Sequence, residues 1–110
     1  MASEQLLKGV LDIVALAVLS RDETYGYAIV QQLHKAGLED VAEASVYGTL
    51  RRLEQQDWVT SRLVASALGP ARRYYRLTRL GKRALESLLW EWDGITAAVE
   101  LLARPEEGRR

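Results

Sequence analysis

The stretch RRLEQQDWVTSRLVASALGPARRYYRLTRLGKR, residues 51–83, decides the fold. It opens on the end of an amphipathic helix and continues through the run Trp58-Val-Thr-Ser-Arg-Leu-Val. A Gly69-Pro70 break separates this run from a second one, in which Tyr75 and Leu77 alternate with polar neighbours, as on the two faces of a strand. The predicted order of elements is therefore helix, strand, turn, strand.

Positive charge is concentrated in the same stretch. Residues 51–83 carry nine basic side chains and only two acidic ones, Glu54 and Asp57, which gives a local charge of +7. The net charge of the whole chain is zero, so the remaining residues carry −7. A cationic helix followed by a cationic hairpin can contact a phosphate backbone and offer side chains to a groove. The pattern therefore predicts a DNA-binding regulator.

The hairpin presents two adjacent cations, Arg72 and Arg73, at its base. We place its tip at Ala67–Ala71. From the base, the two guanidinium groups can hold phosphates beside a groove. Charges in this position can also serve only to protect an exposed strand edge from pairing with another chain, and this alternative stays open.

A helix is predicted over Glu43–Gln56, because Val46, Leu50 and Leu53 have the spacing of an inward face. The opposite face is small, hydrogen-bonding and cationic, which suits a helix in a major groove. The residues of this outward face are Ser45, Gly48, Thr49, Arg51, Arg52 and Gln55. A solvated surface helix would have a similar composition, and only the neighbouring cationic hairpin favours the groove.

Two helices are predicted before it. Residues 6–19 are apolar almost all round, so this first helix needs two partners to bury against, and one of them can be another subunit. Its two apolar stripes are Leu6, Val10, Ile13 and Ala17, and Leu7, Leu11, Val14 and Val18. A shorter second helix is predicted from Tyr25 to about Ala36, with Thr24 as N-cap and Gly37 just after its end.

A long last helix is predicted from Thr78, its N-cap, to about Ala103. Apolar residues recur along it at alternating spacings of three and four, the period of a seam between two helices. The seam residues are Leu85, Leu88, Trp92, Ile95, Val99 and Leu102. Because the chain has no second helix of this kind, we expect the partner to be another copy. The two copies of Trp92 can then form a slot for a flat aromatic molecule, or simply interface core.

Composition excludes several classes of protein. The chain has 110 residues, 48% of them hydrophobic, which is enough for one domain with a modest core. It has no cysteine and one histidine, so disulfides and cysteine nucleophiles are excluded and a metal site is not expected. Without paired carboxylates, a nucleophile beside a base or a phosphate-binding glycine loop, we expect neither an enzyme nor a cofactor. The lack of an 18-residue apolar run or signal peptide predicts a cytoplasmic protein that does not bind a membrane.

The order and spacing of four segments resemble the PadR family of bacterial transcriptional regulators, in particular its short members with a single C-terminal helix. The segments are LKGVLDIVALAVL (7–19), YGYAI (25–29), SVYGTLRRLE (45–54) and RRYYRLT (72–78), with Gly81. The resemblance covers about residues 6–99. It implies a winged helix-turn-helix, a homodimer joined through the first and last helices, and repression through a partly palindromic operator in double-stranded DNA.

The resemblance also implies roles for three tyrosines. Tyr47 matches a tyrosine of the recognition helix whose hydroxyl can contact the DNA backbone. Tyr25 and Tyr27 match a Tyr-Gly-Tyr motif in which one ring packs in the domain and a hydroxyl can face a phosphate; core packing is the alternative for all three. Two positions depart from the family pattern. Asp57 replaces the glycine that closes the recognition helix, and Ala42 stands at its N-cap, where a hydrogen-bonding side chain is expected.

A ligand site is a further implication of the resemblance. In multidrug-binding short members of the family, a tryptophan matching Trp92 lines a slot between the subunits. The other lining residues implied are Leu6, Val10, Ile13 and Leu89, with Asp12 as a partner for a cation. The expected ligand is a planar aromatic small molecule.

Together these patterns predict a mainly α-helical chain with a small β-hairpin, in the order three helices, two strands and one helix. We expect a winged helix-turn-helix over residues 1–78, a dimerisation helix over 79–103 and a flexible tail over 104–110. The predicted DNA contacts are Tyr25, Tyr27, Ser45, Tyr47, Gly48, Arg51, Arg52, Arg72 and Arg73. A winged-helix module that binds an acidic protein instead of DNA is the alternative, because cations serve both functions.

Overall fold

The structure, a computed structural model, describes residues 4–104. Within this range it has four helices and three strands, in the order α1 (Glu4–Arg21), β1 (Thr24–Tyr25), α2 (Gly26–Lys35), α3 (Glu43–Gln55), β2 (Val59–Ser66), β3 (Gly69–Leu77) and α4 (Arg79–Ala103). The predicted architecture, mainly helical with a β-hairpin, is confirmed. Of the predicted tail, residues 105–110 lie outside the described range.

The core lies between α1, α2, α3 and the sheet. Its largest fully buried side chains are Leu16, Ile29, Val46, Leu50, Leu53 and Val59. Three of these are the inward residues predicted for α3, so that prediction is confirmed. Thr49, predicted on the outward face, is only 3% exposed, and that placement was wrong. Thr49 follows Val46 by three positions and precedes Leu53 by four, so it lies within the same buried stripe.

The sheet contains a strand that the sequence pattern did not indicate. β3 lies in its centre, with β1 and β2 antiparallel on either side. Thr24 lies in β1 opposite Tyr75, so its prediction as the N-cap of α2 was wrong. The N-cap is Tyr25, with an extended backbone. A β-branched threonine fits a strand ladder well, and a strand of two residues is too short to produce a periodic signal.

The hairpin of β2 and β3, here called the wing, turns more tightly than predicted. β2 extends to Ser66 and β3 begins at Gly69, so the turn consists of Ala67 and Leu68 rather than residues 67–71. Pro70 lies at the beginning of β3, a position at which strands accept proline. The Gly69-Pro70 pair therefore starts the second strand instead of forming the break.

Helices α2 and α3 end in the same way. In each, the second residue after the last helical one has a positive φ, 108° at Gly37 and 62° at Asp57. The next amide groups, of Leu38 and Trp58, donate hydrogen bonds of 2.9 and 3.0 Å to carbonyl oxygens five residues earlier. This is the Schellman motif, and Gly37 occupies the position predicted for it. Asp57 takes the left-handed conformation that glycine favours, so the chain leaves α3 towards the wing without a glycine.

Helix α4 begins on the base of the wing. Thr78 is its N-cap, as predicted, and the Thr78 hydroxyl accepts a hydrogen bond of 3.0 Å from the Gly81 amide. Gly81 packs so closely that an added Cβ would lie 1.9 Å from the carbonyl oxygen of Trp58. Beyond Leu88, which still packs partly buried against the core, the helix leaves the core. The molecule is 62 Å long but only 29 and 21 Å across. Neither α4 nor another helix among residues 4–104 combines the length and apolarity needed to cross a membrane.

The predicted seam of α4 is divided between the core and the surface. Leu85, its first residue, is buried in the core of its own chain, so it is not available to a partner. Further along, the exposed fractions are 39% at Trp92, 57% at Ile95, 52% at Val99 and 79% at Leu102. On α1, Leu6 is 71% exposed. A single chain therefore leaves a large apolar surface on α4 and the start of α1.

Candidate nucleic-acid interface

Five of the residues predicted to contact DNA meet in one cleft of about 280 Å³. The cleft lies where the start of α2, one side of α3 and the outer part of β3 converge. Its lining residues are Tyr25, Gly26, Tyr27, Tyr47, Ala71, Arg72, Arg73 and Tyr75. Four tyrosines and two arginines thus line the same small volume, and their side chains carry donors that can bind a phosphate group.

The ring of Tyr47 lies directly on the backbone of α2. A Cβ added to Gly26 would lie 2.2 Å from Cε1 of this ring, so only glycine leaves room for it. Burial raises the pKa of Tyr47, and the nearby Glu43 carboxylate raises the pKa further. At neutral pH the Tyr47 hydroxyl is therefore protonated and can donate a hydrogen bond to a phosphate oxygen.

Arg72 is held by aromatic stacking. Its guanidinium carbon lies 4.4 Å from the centre of the Tyr25 ring, within the range of a cation–π interaction. The Tyr25 ring in turn packs edge-on against Tyr74, with 5.4 Å between ring centres. Because a ring face orients the guanidinium without neutralising it, Arg72 keeps its full charge beside the cleft.

Both helices that reach this surface begin without a side-chain cap. Tyr25 and Ala42 are the N-caps of α2 and α3, and neither side chain accepts a hydrogen bond from the first turn. Ala42 is the residue predicted at this position. The first amide groups of an uncapped helix carry partial positive charge. The first turn of α2 contains no acidic residue, and Gly26 and Tyr27 place this charge at the cleft.

Arg73 is held by hydrogen bonds rather than by an aromatic ring. Its Nη1 donates to the Ser61 hydroxyl at 3.1 Å, and that hydroxyl donates to Oε2 of Glu54 at 2.8 Å. Tyr75 lies beside this group. Burial and the Glu54 carboxylate raise the pKa of Tyr75, while the charge of Arg73 acts in the opposite direction. The end of α3 is thus linked through β2 to a cation of β3.

The other predicted residues of α3 lie outside the cleft. Ser45 and Arg51 are exposed, and open space lies beside Gly48, so this side of the helix is sterically free. Arg52 instead donates a hydrogen bond to the carboxylate of Asp12 on α1. Arg51 and Arg52 therefore differ, because only Arg52 is turned towards α1.

Four of the six residues predicted to bind a ligand line a groove of about 320 Å³ between α1 and α4. Its lining residues are Gln5, Leu6, Gly9, Val10 and Ile13 from α1, and Leu88, Glu91, Trp92 and Ile95 from α4. Two predicted members are not part of this lining. Leu89 lies one position further round α4 than Leu88, and the Asp12 carboxylate is paired with Arg52.

Gly26, Ala71 and Tyr75 line the cleft without having been predicted as site residues, and the same holds for three residues that support it from outside. Tyr74 supports the ring of Tyr25, and Ser61 and Glu54 hold Arg73. The alternation along β3 puts Tyr74 on the same face as Arg72 and Arg76, which was a usable signal. Ser61 and Glu54 offered none, because hydrogen bonds between separate elements leave no spacing in the sequence.

The arrangement of α1 to α3, the wing and α4 defines a winged helix-turn-helix protein with a long C-terminal helix. Residues 15–87 match the sequence model of a protein family that is described as the transcriptional regulator PadR-like family. This range is more than half of the chain and contains every residue that lines the cleft. The chain belongs to the PadR-like family, whose members are transcriptional regulators and not enzymes.

Solved structures of this family have the same fold. The PadR-like transcriptional regulator of Bacillus cereus ATCC 14579 is 37% identical, with a TM-score of 0.81 over 92% of this chain and 98% of that one. The PadR family regulator of Eggerthella lenta DSM 2243 is 31% identical, with a TM-score of 0.82 over 91% and 87%. Bacillus subtilis PadR, solved in complex with operator DNA, is 24% identical, with a TM-score of 0.67 over 73% and 46%; this likeness concerns the fold.

The contact between Gly26 and Tyr47 can be tested without DNA. Gly26→Ala is expected to destabilise the protein by about 1–2 kcal/mol, because the new methyl group overlaps the tyrosine ring. In a Tyr47→Ala background the same change should be neutral or stabilising by up to about 1 kcal/mol, since alanine favours a helix over glycine. Urea unfolding of the four proteins measures the coupling. Equal effects of Gly26→Ala in both backgrounds would contradict the contact.

Proposed function

We propose that the protein is a repressor that binds a partly palindromic operator in double-stranded DNA as a homodimer, with a backbone phosphate held in the cleft. The observation that carries this proposal is the convergence of Arg72, Arg73 and four tyrosines on one cleft at the start of α2. A phosphate in this position receives charge-assisted hydrogen bonds and faces the positive end of a helix dipole. Membership of the PadR-like family supports the proposal, as does the shared fold of Bacillus subtilis PadR, which was solved with operator DNA.

In this proposal α3 enters the major groove. Ser45 and Gly48 let the helix approach closely, and Arg51 is long enough to reach a base edge. Tyr47 and Tyr27 hold the phosphate backbone beside the groove. Arg52 contacts DNA only if it leaves Asp12, so the pair makes Arg52 the less available of the two adjacent arginines.

A second copy of the chain is proposed to cover the seam of α4. The proposed contacts are Leu88, Trp92, Ile95, Val99 and Leu102, next to the exposed Leu6 of α1. Burial of one large apolar side chain contributes about 1.5–3 kcal/mol, so several of them can supply a stable interface. Two copies related by a twofold axis would present two α3 helices to major grooves about 34 Å apart, which requires a palindromic site.

The groove between α1 and α4 is proposed to receive a flat aromatic molecule that changes DNA affinity. Its volume of about 320 Å³ and its largely apolar lining with one indole suit a small aromatic ligand. The same groove borders the seam, so the second copy would close it. A ligand would change the affinity for DNA only as far as it prefers one separation of the two α3 helices over another.

Binding of DNA through the cleft is expected to depend strongly on salt. With about four phosphate contacts per subunit, log affinity plotted against log salt concentration should have a slope of about −7. Arg72→Gln should make the slope shallower by about 2, because each of two subunits loses one contact. Arg104→Gln, at the far end of α4, is the matched control and should leave the slope unchanged. Fluorescence anisotropy over a series of salt concentrations measures the slopes.

The DNA site itself can be located by footprinting on the DNA next to the gene of this protein. A module that binds an acidic protein would also bind heparin, but it would not protect a defined DNA site. Lack of protection, or an affinity that does not change with salt, would overturn the proposed function.

The proposed dimer can be tested by placing a charged side chain in the apolar seam of α4. Ile95→Glu is expected to convert the dimer into monomers and to weaken operator binding by at least about tenfold, because an unpaired carboxylate would be buried. Since Ile95 is 57% exposed in the single chain, this change should leave the fold intact. Ala97→Glu places the same charge on the other side of α4 and should keep the dimer. Sedimentation equilibrium measures the oligomeric state of the parent protein and of both variants. A parent protein that is a stable monomer would contradict the proposal.

The ligand groove is tested with a planar cationic dye. Binding beside Trp92 should quench tryptophan fluorescence, and Trp92→Phe should remove most of this effect. Trp90→Phe is the matched control, because Trp90 is 79% exposed and does not line the groove. If the parent protein shows no quenching at high micromolar dye, the groove does not bind such molecules.

A further inference from the structure

Arg72 and Arg73 reach the same cleft from opposite faces of the wing. Side chains alternate along a strand, so neighbouring residues of β3 start in opposite directions. Tyr25, which carries Arg72 on its ring, lies opposite Tyr74, on one face of the sheet. Arg73 starts from the other face, together with Tyr75. Both arginines line one cleft although they start from opposite faces, so each side chain needs its own means of orientation.

The register of the wing places Ser61 where it can orient Arg73. Ser61 lies opposite Tyr75 and Leu63 lies opposite Arg73, so Ser61 is the diagonal neighbour of Arg73 on the same face of the sheet. The distance from Arg73 Nη1 to the Ser61 hydroxyl oxygen is 3.1 Å, which is a hydrogen bond. An unsupported arginine on this strand would sample many rotamers, whereas this bond selects one direction.

Glu54 determines the direction of the Ser61 hydroxyl. A serine hydroxyl has a single proton, and Ser61 donates it to Oε2 of Glu54 at 2.8 Å. The lone pairs of the Ser61 oxygen are then turned to accept from Arg73. The carboxylate therefore controls the arginine through the hydroxyl, and the three side chains come from α3, β2 and β3.

This arrangement leaves the charge of Arg73 available. The three ion pairs found within residues 4–104 do not include Glu54 or Arg73, although Glu54 is one of only two acidic residues in the basic stretch. A guanidinium group has five N–H donors, and only one of them is used on Ser61. The remaining donors can bind a phosphate in the cleft.

We propose that Ser61 and Glu54 are positioning residues for DNA binding, which hold the Arg73 guanidinium in the cleft and tie its direction to the end of α3. This inference rests on the proposed function, since it assigns to Arg73 a phosphate contact. It adds that the contact depends on a hydroxyl outside the cleft. When α3 is in place, the hydrogen bonds from Arg73 to Ser61 and from Ser61 to Glu54 also fix the direction of the Arg73 side chain.

Ser61 is the residue to test, because its replacement leaves every charge of the protein unchanged. Ser61→Thr keeps the hydroxyl, and Ser61→Val has the same shape as threonine without it. Both side chains are β-branched and suit a strand. Ser61→Val is expected to weaken binding of a labelled duplex carrying the footprinted site by about fivefold and to make the salt slope shallower by about 2, as Arg73→Gln does. Ser61→Thr is expected to bind with the parent affinity and slope.

A double variant shows whether the two residues act together. In an Arg73→Gln background, Ser61→Val should have no further effect on affinity or slope, because the cation that it positions is already absent. Thermal unfolding of each variant provides the check on folding. If Ser61→Val does not fold, Ser61→Ala takes its place in both backgrounds.

The outcomes separate this inference from the proposed function. If Arg73→Gln weakens binding but Ser61→Val retains the parent affinity and slope, the positioning role is wrong and the proposed function stands. Equal weakening by Ser61→Val and Ser61→Thr also overturns it, because packing and not the hydroxyl would then matter. If Arg72→Gln and Arg73→Gln both bind like the parent, the cleft does not hold DNA and both proposals fail.

Discussion

Burial of one face of α3 is the constraint on which the other features depend. Val46, Leu50 and Leu53 are fully buried, and each contributes about 1.5–3 kcal/mol to folding. Once these side chains are fixed, the rotation of the helix is fixed as well, and Tyr47 is directed towards α2, where Gly26 leaves room for its ring. The Schellman motif that follows α3 then sends the chain into the wing. The apolar face of α3 thus sets the geometry of the cleft, although it contributes no residue to it.

The three ion pairs of residues 4–104 do not include the two arginines of the cleft. Elsewhere in the described chain, Arg52 and Arg62 are paired with carboxylates, so their charges are less available to bind an anion. At the cleft, Arg72 is oriented by an aromatic face, Arg73 by a hydroxyl, and the amides of α2 by the helix itself. None of these three groups is itself negatively charged, and the Glu54 carboxylate acts on Arg73 only through the Ser61 hydroxyl. A zero net charge is therefore compatible with a strongly cationic binding surface.

Local patterns predicted much of this architecture, and long-range contacts account for what they missed. The helices and the inward face of α3 follow from the spacing of nearby residues. Strand β1 could not be found in this way, because its two residues form a strand only through pairing with β3. Tyr47 became a candidate through the family resemblance, and Arg72 through its place in the cationic hairpin. Spacing could not distinguish Arg51 from Arg52, because the difference lies in Asp12, forty positions earlier.

The close contact between Gly81 and the Trp58 carbonyl restricts how α4 can tilt relative to the wing. It leaves no space for even one methyl group between the base of the wing and the start of α4, so the two elements have a fixed angle. A helix of 25 residues is about 37 Å long, and a tilt of about 5° at its origin would displace its far end by roughly 3 Å. That displacement is close to the rise of one base pair in a DNA duplex, about 3.4 Å. Because α4 is long, a side chain at position 81 that pushed its start away from Trp58 by a few degrees would shift its far end by a distance of this order.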